Sequence, residues 1–277
     1  MKRASMKITH VLDKSTLLSF ELDGYRITAL PPFRKFRALD IPWDHDEMLA
    51  DESERLAKSS GSRKVVHLAA GQYGLPVEVH VKRYNFKSLI RLVLRAGRKS
   101  RAREEFDLGW QLLAKKIKTP RPVFLAEALG AVAKFSLIAT ESIPEAESAL
   151  ERWKRCTNDR QRNELLAGIG QFTAVLHDAG FYHDDFKSGH LLILPGRPSS
   201  ADEFHVIDLL GGAFPTVLTN ARRASMLHQL ANSFIPKKHS IGFRAEHRHA
   251  ILKAYCGSSS EAEIWERRVA RVRARKA

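Results

Sequence analysis

The sequence predicts an α+β protein with a β-rich front and an α-rich back. Three observations carry this. Short apolar or alternating runs, bounded by Gly, Pro and Ser, fill the region up to about residue 140. One helical stripe interrupts them between residues 86 and 116. Beyond Pro144 the apolar spacing turns helical, broken by a single short hairpin. The 277 residues, 44% hydrophobic and 28% charged, can bury a sizeable core and exclude a disordered chain.

Taken in order, Gly24 to Leu30 (GYRITAL) reads as a strand stopped by Pro31 and Pro32. Residues 40–58 read as a loop with a short helix, and Lys58 to Lys64 (KSSGSRK) as a polar turn. Val65 to Leu68 is a strand, and Val77 to Lys82 alternates apolar and polar as a half-buried strand does. Residues 86–116 carry a helical stripe with a basic cluster at Arg95, Arg98, Lys99, Arg101 and Arg103, ended by Pro120 and Pro122. Phe124–Leu129 and Lys134–Ala139 are two further strands around a turn at Gly130. Gln161–Ala179 presents one apolar face through Leu165, Leu166, Ile169, Phe172 and Leu176, with Gly180 as its C-terminal cap. Leu191–Leu194 and Phe204–Ile207 form the hairpin, and helices follow from Asn220 to a basic tail.

The net charge of +15 and a pI of about 10.0 predict an anionic partner: nucleic acid, an acidic membrane surface or a phosphorylated substrate. Basic residues interleaved with aromatics, the platform of single-strand binders, are missing, so nucleic acid has only charge in its favour. Cys156 and Cys256 are too few for a disulfide framework or a four-thiolate zinc site and read as reduced thiols. The opening MKRASMKITHVLDKS has charge but no apolar stretch, so it is not expected to be a secretory signal. The longest apolar candidate, Val123 to Ala139, is interrupted by Glu127 and Lys134, so no membrane span is expected. Peripheral attachment stays open.

The chemistry concentrates in residues 180–194, GFYHDDFKSGHLLIL. A helix ends at a glycine, a polar loop follows, then a strand and a hairpin into VIDLLGG. Pairing of the two short strands brings Asp185 and Asp208 to one edge. Phosphoryl transfer needs such a set: one carboxylate for the acceptor hydroxyl, another for a metal on the nucleotide phosphates, a lysine for phosphate charge and a glutamate to fix that lysine.

The loop resembles the protein-kinase catalytic loop H-x-D-x-x-x-x-N, with His183 and Asp185 matching and His190 in place of the metal-binding Asn. Asp208, in Asp208-Leu209-Leu210, resembles the metal-binding aspartate of the DFG motif. Lys82 resembles the phosphate-binding lysine, with Glu105 as its partner and Glu104 as the fallback. Thr140-Glu141-Ser142-Ile143 stands where the linker between lobes belongs, which puts Glu141 with the nucleotide-binding residues. Gly61 is the lone glycine near a phosphate-loop position, and KSSGSRK is not a GxxxxGK[ST] P-loop.

Within that fold the chain is most similar to the lipopolysaccharide kinase family, the Kdo and heptose kinases of the inner core. The VKRY strand, the stretch AREEFDLGWQLLAKKIKTPRPV and the histidine in place of the loop Asn carry the resemblance. It implies a protein-kinase-like bilobed fold: a small β-rich N-lobe over residues 1–140, with a basic insert at 86–103, and a larger helical C-lobe over 141–277. It also implies ATP as donor, Mg²⁺, a bacterial origin, a lipid-linked sugar of the lipopolysaccharide core as acceptor, and a place at the cytoplasmic face of the inner membrane. Asp185 and His183 would be catalytic, Asp208 and His190 would hold metal, and Lys82, Glu105, Gly61 and Glu141 would serve the nucleotide.

Two departures keep other readings open. Asp184 adds a negative charge beside Asp185, and His190 as a ligand favours softer ions than Mg²⁺ or serves phosphate instead. The alternatives are a kinase acting on a protein or small molecule, and a catalytically silent nucleotide-binding scaffold. Elsewhere, His247 and His249 read as solvent-exposed, His177 as structural, and His67 and His80 as strand residues of no assigned role. The basic stretch Arg91–Arg103 and the tail Trp265–Lys276 read either as anionic docking surfaces or as solvated charge.

Overall fold

The computed structural model describes residues 14–43, 55–60, 63–85, 99–129, 135–194, 201–235 and 243–276. The chain divides into two compact units: Met1–Phe106 with Pro122–Ser142, and Asp107–Arg121 with Ile143–Ala277.

The first unit is built on seven antiparallel strands. These are β1 (Leu18–Leu22), β2 (Tyr25–Ala29), β3 (Arg55–Ser60), β4 (Arg63–Leu68), β5 (Val79–Asn85), β6 (Pro122–Ala128) and β7 (Phe135–Glu141), in spatial order β1-β2-β6-β7-β5-β4-β3. Alternation in VHVKRYN sorts β5 onto two faces. Val79 and Val81 point to one, with Val66 and Ala139 alongside Val81. That face is covered by residues 31–43: Phe36 packs edge-on against Phe124, with centroids 5.0 Å apart, and Arg83 lies over Trp43. His80, Lys82 and Tyr84 point to the other face.

The strands reach further into the Lys58–Lys64 stretch than its polar composition suggests, and the centre of the expected turn lies outside the described residues. Lys58–Ser60 close β3, and Arg63 and Lys64 open β4, paired Ser60 to Arg63. Ladder hydrogen bonds, not side-chain character, make this polar run a strand. β1 is likewise a strand that composition did not mark; it is the sheet-edge partner of β2. The first half of the predicted 86–116 helix, the turn at Gly130 and the candidate Gly61 lie outside the described residues.

Helix α1 spans Arg101–Ala114. It ends well before Pro120. Lys116 turns left-handed (φ 60°), and the Lys116 and Ile117 N–H groups donate back to the Leu113 and Leu112 carbonyls. This closure satisfies the last carbonyls without any proline. Arg103 of the basic segment is held by Glu127 of β6 at 2.7 Å.

The second unit adds β8 (Glu147–Ser148), α2 (Ala149–Arg155), α3 (Asp159–Asp178), β9 (Tyr182–His183), β10 (Leu191–Ile193), β11 (Phe204–Val206), β12 (Gly212–Ala213), α4 (Asn220–Asn232), α5 (Ala245–Cys256) and α6 (Ser259–Lys276). The apolar stripe Leu165, Leu166, Ile169, Phe172 and Leu176 of α3 is buried against Trp153, Phe204, Leu230 and Phe234. Gly170 is a contact point for α5: a methyl group there would run into the Ile251 carbonyl and Ala254.

His247 is buried, not exposed. Its Nδ1 accepts from the Arg244 N–H at the start of α5, and its ring packs on Trp153 and Phe243. His249 pairs with Glu266 at 2.9 Å. In α6 the interleaved Trp265 and Val269 are buried with Ala224, Leu227 and Leu252, so these two apolar side chains are used within the unit. Cys156 and Cys256 are free thiols. Among the described residues no helix is long and apolar enough to cross a membrane.

Candidate active site

In the first unit, Lys82 and Glu105 form a tight pair, Nζ to Oε1 2.5 Å. Glu105 is 3% exposed and also accepts from the Tyr84 hydroxyl at 2.5 Å. A carboxylate this deep persists only when its charge is matched and its oxygens are bonded, and Lys82 and Tyr84 from one strand face do both. Glu104 is not in this pair. Glu141 closes β7, opposite Val79, and the Ser142 N–H donates to the Glu78 carbonyl.

In the second unit, α3 stops at Gly180. Its φ of +84° lets the Gly180 and Phe181 N–H groups bond the His177 and Leu176 carbonyls. The chain then reverses into β9, which pairs with β12, His183 facing Gly212. His183 is fully buried. Its Nδ1 accepts from the Asp185 N–H at 3.0 Å, so the ring proton sits on Nε2 and is donated to the Asp208 carbonyl at 2.9 Å. One imidazole thus fixes the loop carrying Asp185 to the loop carrying Asp208. Its role is positional.

Asp208 itself has φ +56°, a left-handed conformation that costs a non-glycine residue about 1 kcal/mol or more. Its carboxylate lies 3.7 Å from His190 Nε2. Burial pushes the His190 imidazole down to about 4, against the opposing pull of Asp208. The contact is therefore not an ion pair at neutral pH. His190 Nδ1 is buried and finds no hydrogen-bond partner among the described residues.

Asp185 is exposed and carries a partner the sequence reading did not single out. Lys187 Nζ lies 2.7 Å from its Oδ2. Gln229 and Ser233, at the end of α4, were also missed. Gln229 Oε1 accepts from the Phe186 N–H at 2.9 Å, and Ser233 Oγ from the Ser188 N–H at 2.7 Å. Buried Phe186 anchors the loop between them. The i, i+4 spacing of Gln229 and Ser233 was visible, but nothing local links it to a loop forty residues upstream. Asp184 rests against Gly211, whose φ is +96° and which leaves room for the Asp184 carboxylate where a Cβ would collide with it. The Asp184 N–H donates to the Gly211 carbonyl.

The Asp208 carboxylate suits a hard divalent cation such as Mg²⁺, whereas an imidazole nitrogen suits a softer one. Asp208 offers a carboxylate and His190 a neutral nitrogen beside it. Among the described residues no group of three or more His, Cys, Asp or Glu forms a ready cage.

No curated protein matches the chain in sequence. Among solved structures, one described as "WaaP in complex with acyl carrier protein" superposes with a TM-score of 0.57 at 19% identity, covering 89% of this chain and 98% of that one. The likeness shows a protein-kinase-like fold. The model of the lipopolysaccharide kinase (Kdo/WaaP) family matches residues 46–255. With most of its length matched, the chain belongs to the lipopolysaccharide kinase (Kdo/WaaP) family.

Proposed function

We propose that this kinase transfers the γ-phosphoryl group of ATP to a hydroxyl of a heptose or Kdo sugar in the lipopolysaccharide inner core. The observation that carries the reading is the His183 strut, which holds Asp185 and Asp208 in fixed relation while leaving the Asp185 carboxylate exposed. Asp185 orients the sugar hydroxyl and takes its proton as the new P–O bond forms and the bond to ADP breaks. Lys187 keeps positive charge beside that carboxylate. Lys82, fixed by Glu105, neutralises donor phosphate, and Glu141 closes the strand beside it. Asp208, with His190 beside it, would hold Mg²⁺, which would supply charge neutralisation on the phosphates.

The acceptor is lipid-linked and anionic, which suits a chain of net charge +15 working at the cytoplasmic face of the inner membrane in peripheral contact with acidic lipid. The test is transfer of labelled γ-phosphate from Mg-ATP to intact and deacylated inner-core lipopolysaccharide by wild type and Asp185→Ala. Label in the sugar fraction that vanishes in the variant supports the reading. ATP binding without transfer to either acceptor removes the sugar assignment.

A further inference from the structure

Helix α6 has two unlike faces. Ala262, Trp265 and Val269 turn inward and are buried with Ala224 and Leu227 of α4 and Leu252 of α5. Ile264, Arg267, Arg268 and Arg271 fall at i, i+3, i+4 and i+7, one broad stripe on the opposite side, about 10 Å long. Ile264 is 43% exposed, and Arg267 and Arg271 are exposed. Arg268 lays its guanidinium over the Trp265 ring, 4.8 Å from the centroid. Among the described residues no carboxylate pairs with any of these three arginines. The acids of the helix are placed elsewhere: Glu261 in its first turn, and Glu266 at its flank, held by His249. Beyond Arg271 the sequence adds Arg273, Arg275 and Lys276 and no acid. The helix also lies beyond the stretch matched to the family, so membership assigns it no role.

Resting on the reading of a lipid-linked acceptor, we propose that the outward stripe of α6 is the surface by which the chain docks on an anionic lipid bilayer. An arginine fork meets a lipid phosphate with two parallel N–H···O bonds and keeps its charge at every working pH. Guanidinium groups aligned on one helix face reach a charged plane together, and each adds to the attraction. Ile264, at the head of the stripe, gives one apolar side chain to the headgroup layer. The structure also fixes the manner of docking. Trp265 and Val269 are taken up in the core, so α6 cannot sink an apolar face among acyl chains as an amphipathic anchor does. It rests on the headgroups by charge, and its attachment is reversible and weakened by salt. A nucleic-acid strand finds no exposed aromatic ring on this stripe to stack against.

Co-sedimentation of the full chain with phosphatidylcholine vesicles, with and without phosphatidylglycerol, tests the surface in the absence of nucleotide and sugar. Wild type is expected to bind the anionic vesicles alone and to be released by added salt. Arg267→Gln combined with Arg271→Gln should weaken binding about thirty-fold, about five-fold for each arginine. Arg34→Gln combined with Lys35→Gln removes the same charge from exposed positions of the first unit and should bind as wild type does. Unchanged melting temperatures guard against misfolding. Wild type that ignores anionic vesicles overturns the proposal and leaves the stripe to a soluble anionic partner. Equal losses in the two double variants also overturn it, because net charge alone then does the binding. Phosphate transfer to a deacylated acceptor in solution scores the kinase reading separately, and neither double variant should change it. Transfer without vesicle binding removes the docking surface and keeps the kinase; vesicle binding without transfer does the reverse.

Discussion

Replacing His183 with alanine tests the strut on which the proposed mechanism depends. The ring is fully buried and makes two hydrogen bonds, to the Asp185 N–H and the Asp208 carbonyl. The Asp185 amide sits beside an exposed side chain and can turn to water, so its loss costs about 1 kcal/mol. The Asp208 carbonyl loses its imidazole donor inside the fold, at about 1–2 kcal/mol. The vacated ring volume adds about 1–2 kcal/mol. The sum, about 3–5 kcal/mol, corresponds to a fall in Tm of about 10 °C for a unit of this size. Phosphoryl transfer should fall more than stability alone requires, by about a hundred-fold, because both carboxylate loops lose their common reference. Thermal melting and turnover are measured on the same samples. His183→Asn, which can still accept from Asp185, and His183→Gln, which can still donate to Asp208, should fall between wild type and alanine. An alanine variant melting within about 2 °C of wild type with unaltered turnover refutes the strut.

Three further outcomes follow from the same structure. Gly211→Ala should destabilise by about 1–3 kcal/mol through its φ of +96° and its collision with Asp184; urea unfolding measures it, and adding Asp184→Gly should recover only the steric part. Glu105→Gln, keeping the shape but not the charge, should raise KM for ATP about ten-fold with an unchanged circular dichroism spectrum; an unchanged KM removes Lys82 from the donor site. His177 is buried against Tyr255 and Met226, and burial lowers its pKa from 6.5 to about 3. The unfolded chain therefore binds the proton first. Its contribution is fully present above pH 6.5 and drains away at about 1.4 kcal/mol per pH unit as pH falls toward 3. Stability of His177→Gln, followed by urea unfolding across that range, should show a shallower slope than wild type.

What the sequence displayed was what chain neighbours decide. The alternation of VEVHVK made β5, the stripe from Leu165 to Leu176 made α3, and Gly180 made its end. The candidate residues of 183–190 stood out in the sequence because they lie within eight positions of one another. What stayed hidden depends on partners far along the chain. KSS reads as a turn until β4 folds back on it. His247 reads as exposed until Trp153 and Phe243 close over it. Gln229 and Ser233 look like ordinary helix polar residues until the 186–188 backbone arrives. Lys187 was in plain view, two residues from Asp185, but a lysine in a basic chain carries little signal until its 2.7 Å contact is seen.

The clamping of residues 183–190 has a consequence for how this region opens. Its backbone is tied to α4 through Gln229 and Ser233, to the Gly211 carbonyl through the Asp184 N–H, and to the Asp208 carbonyl through one ring. No single tie can let go and expose its amide while the others hold the same short segment in place. The amides of Asp184, Asp185, Phe186 and Ser188 should therefore exchange with deuterium as one cooperative block, at a common rate set by the whole cluster. Independent fraying, with a separate rate for each amide, is not open to it.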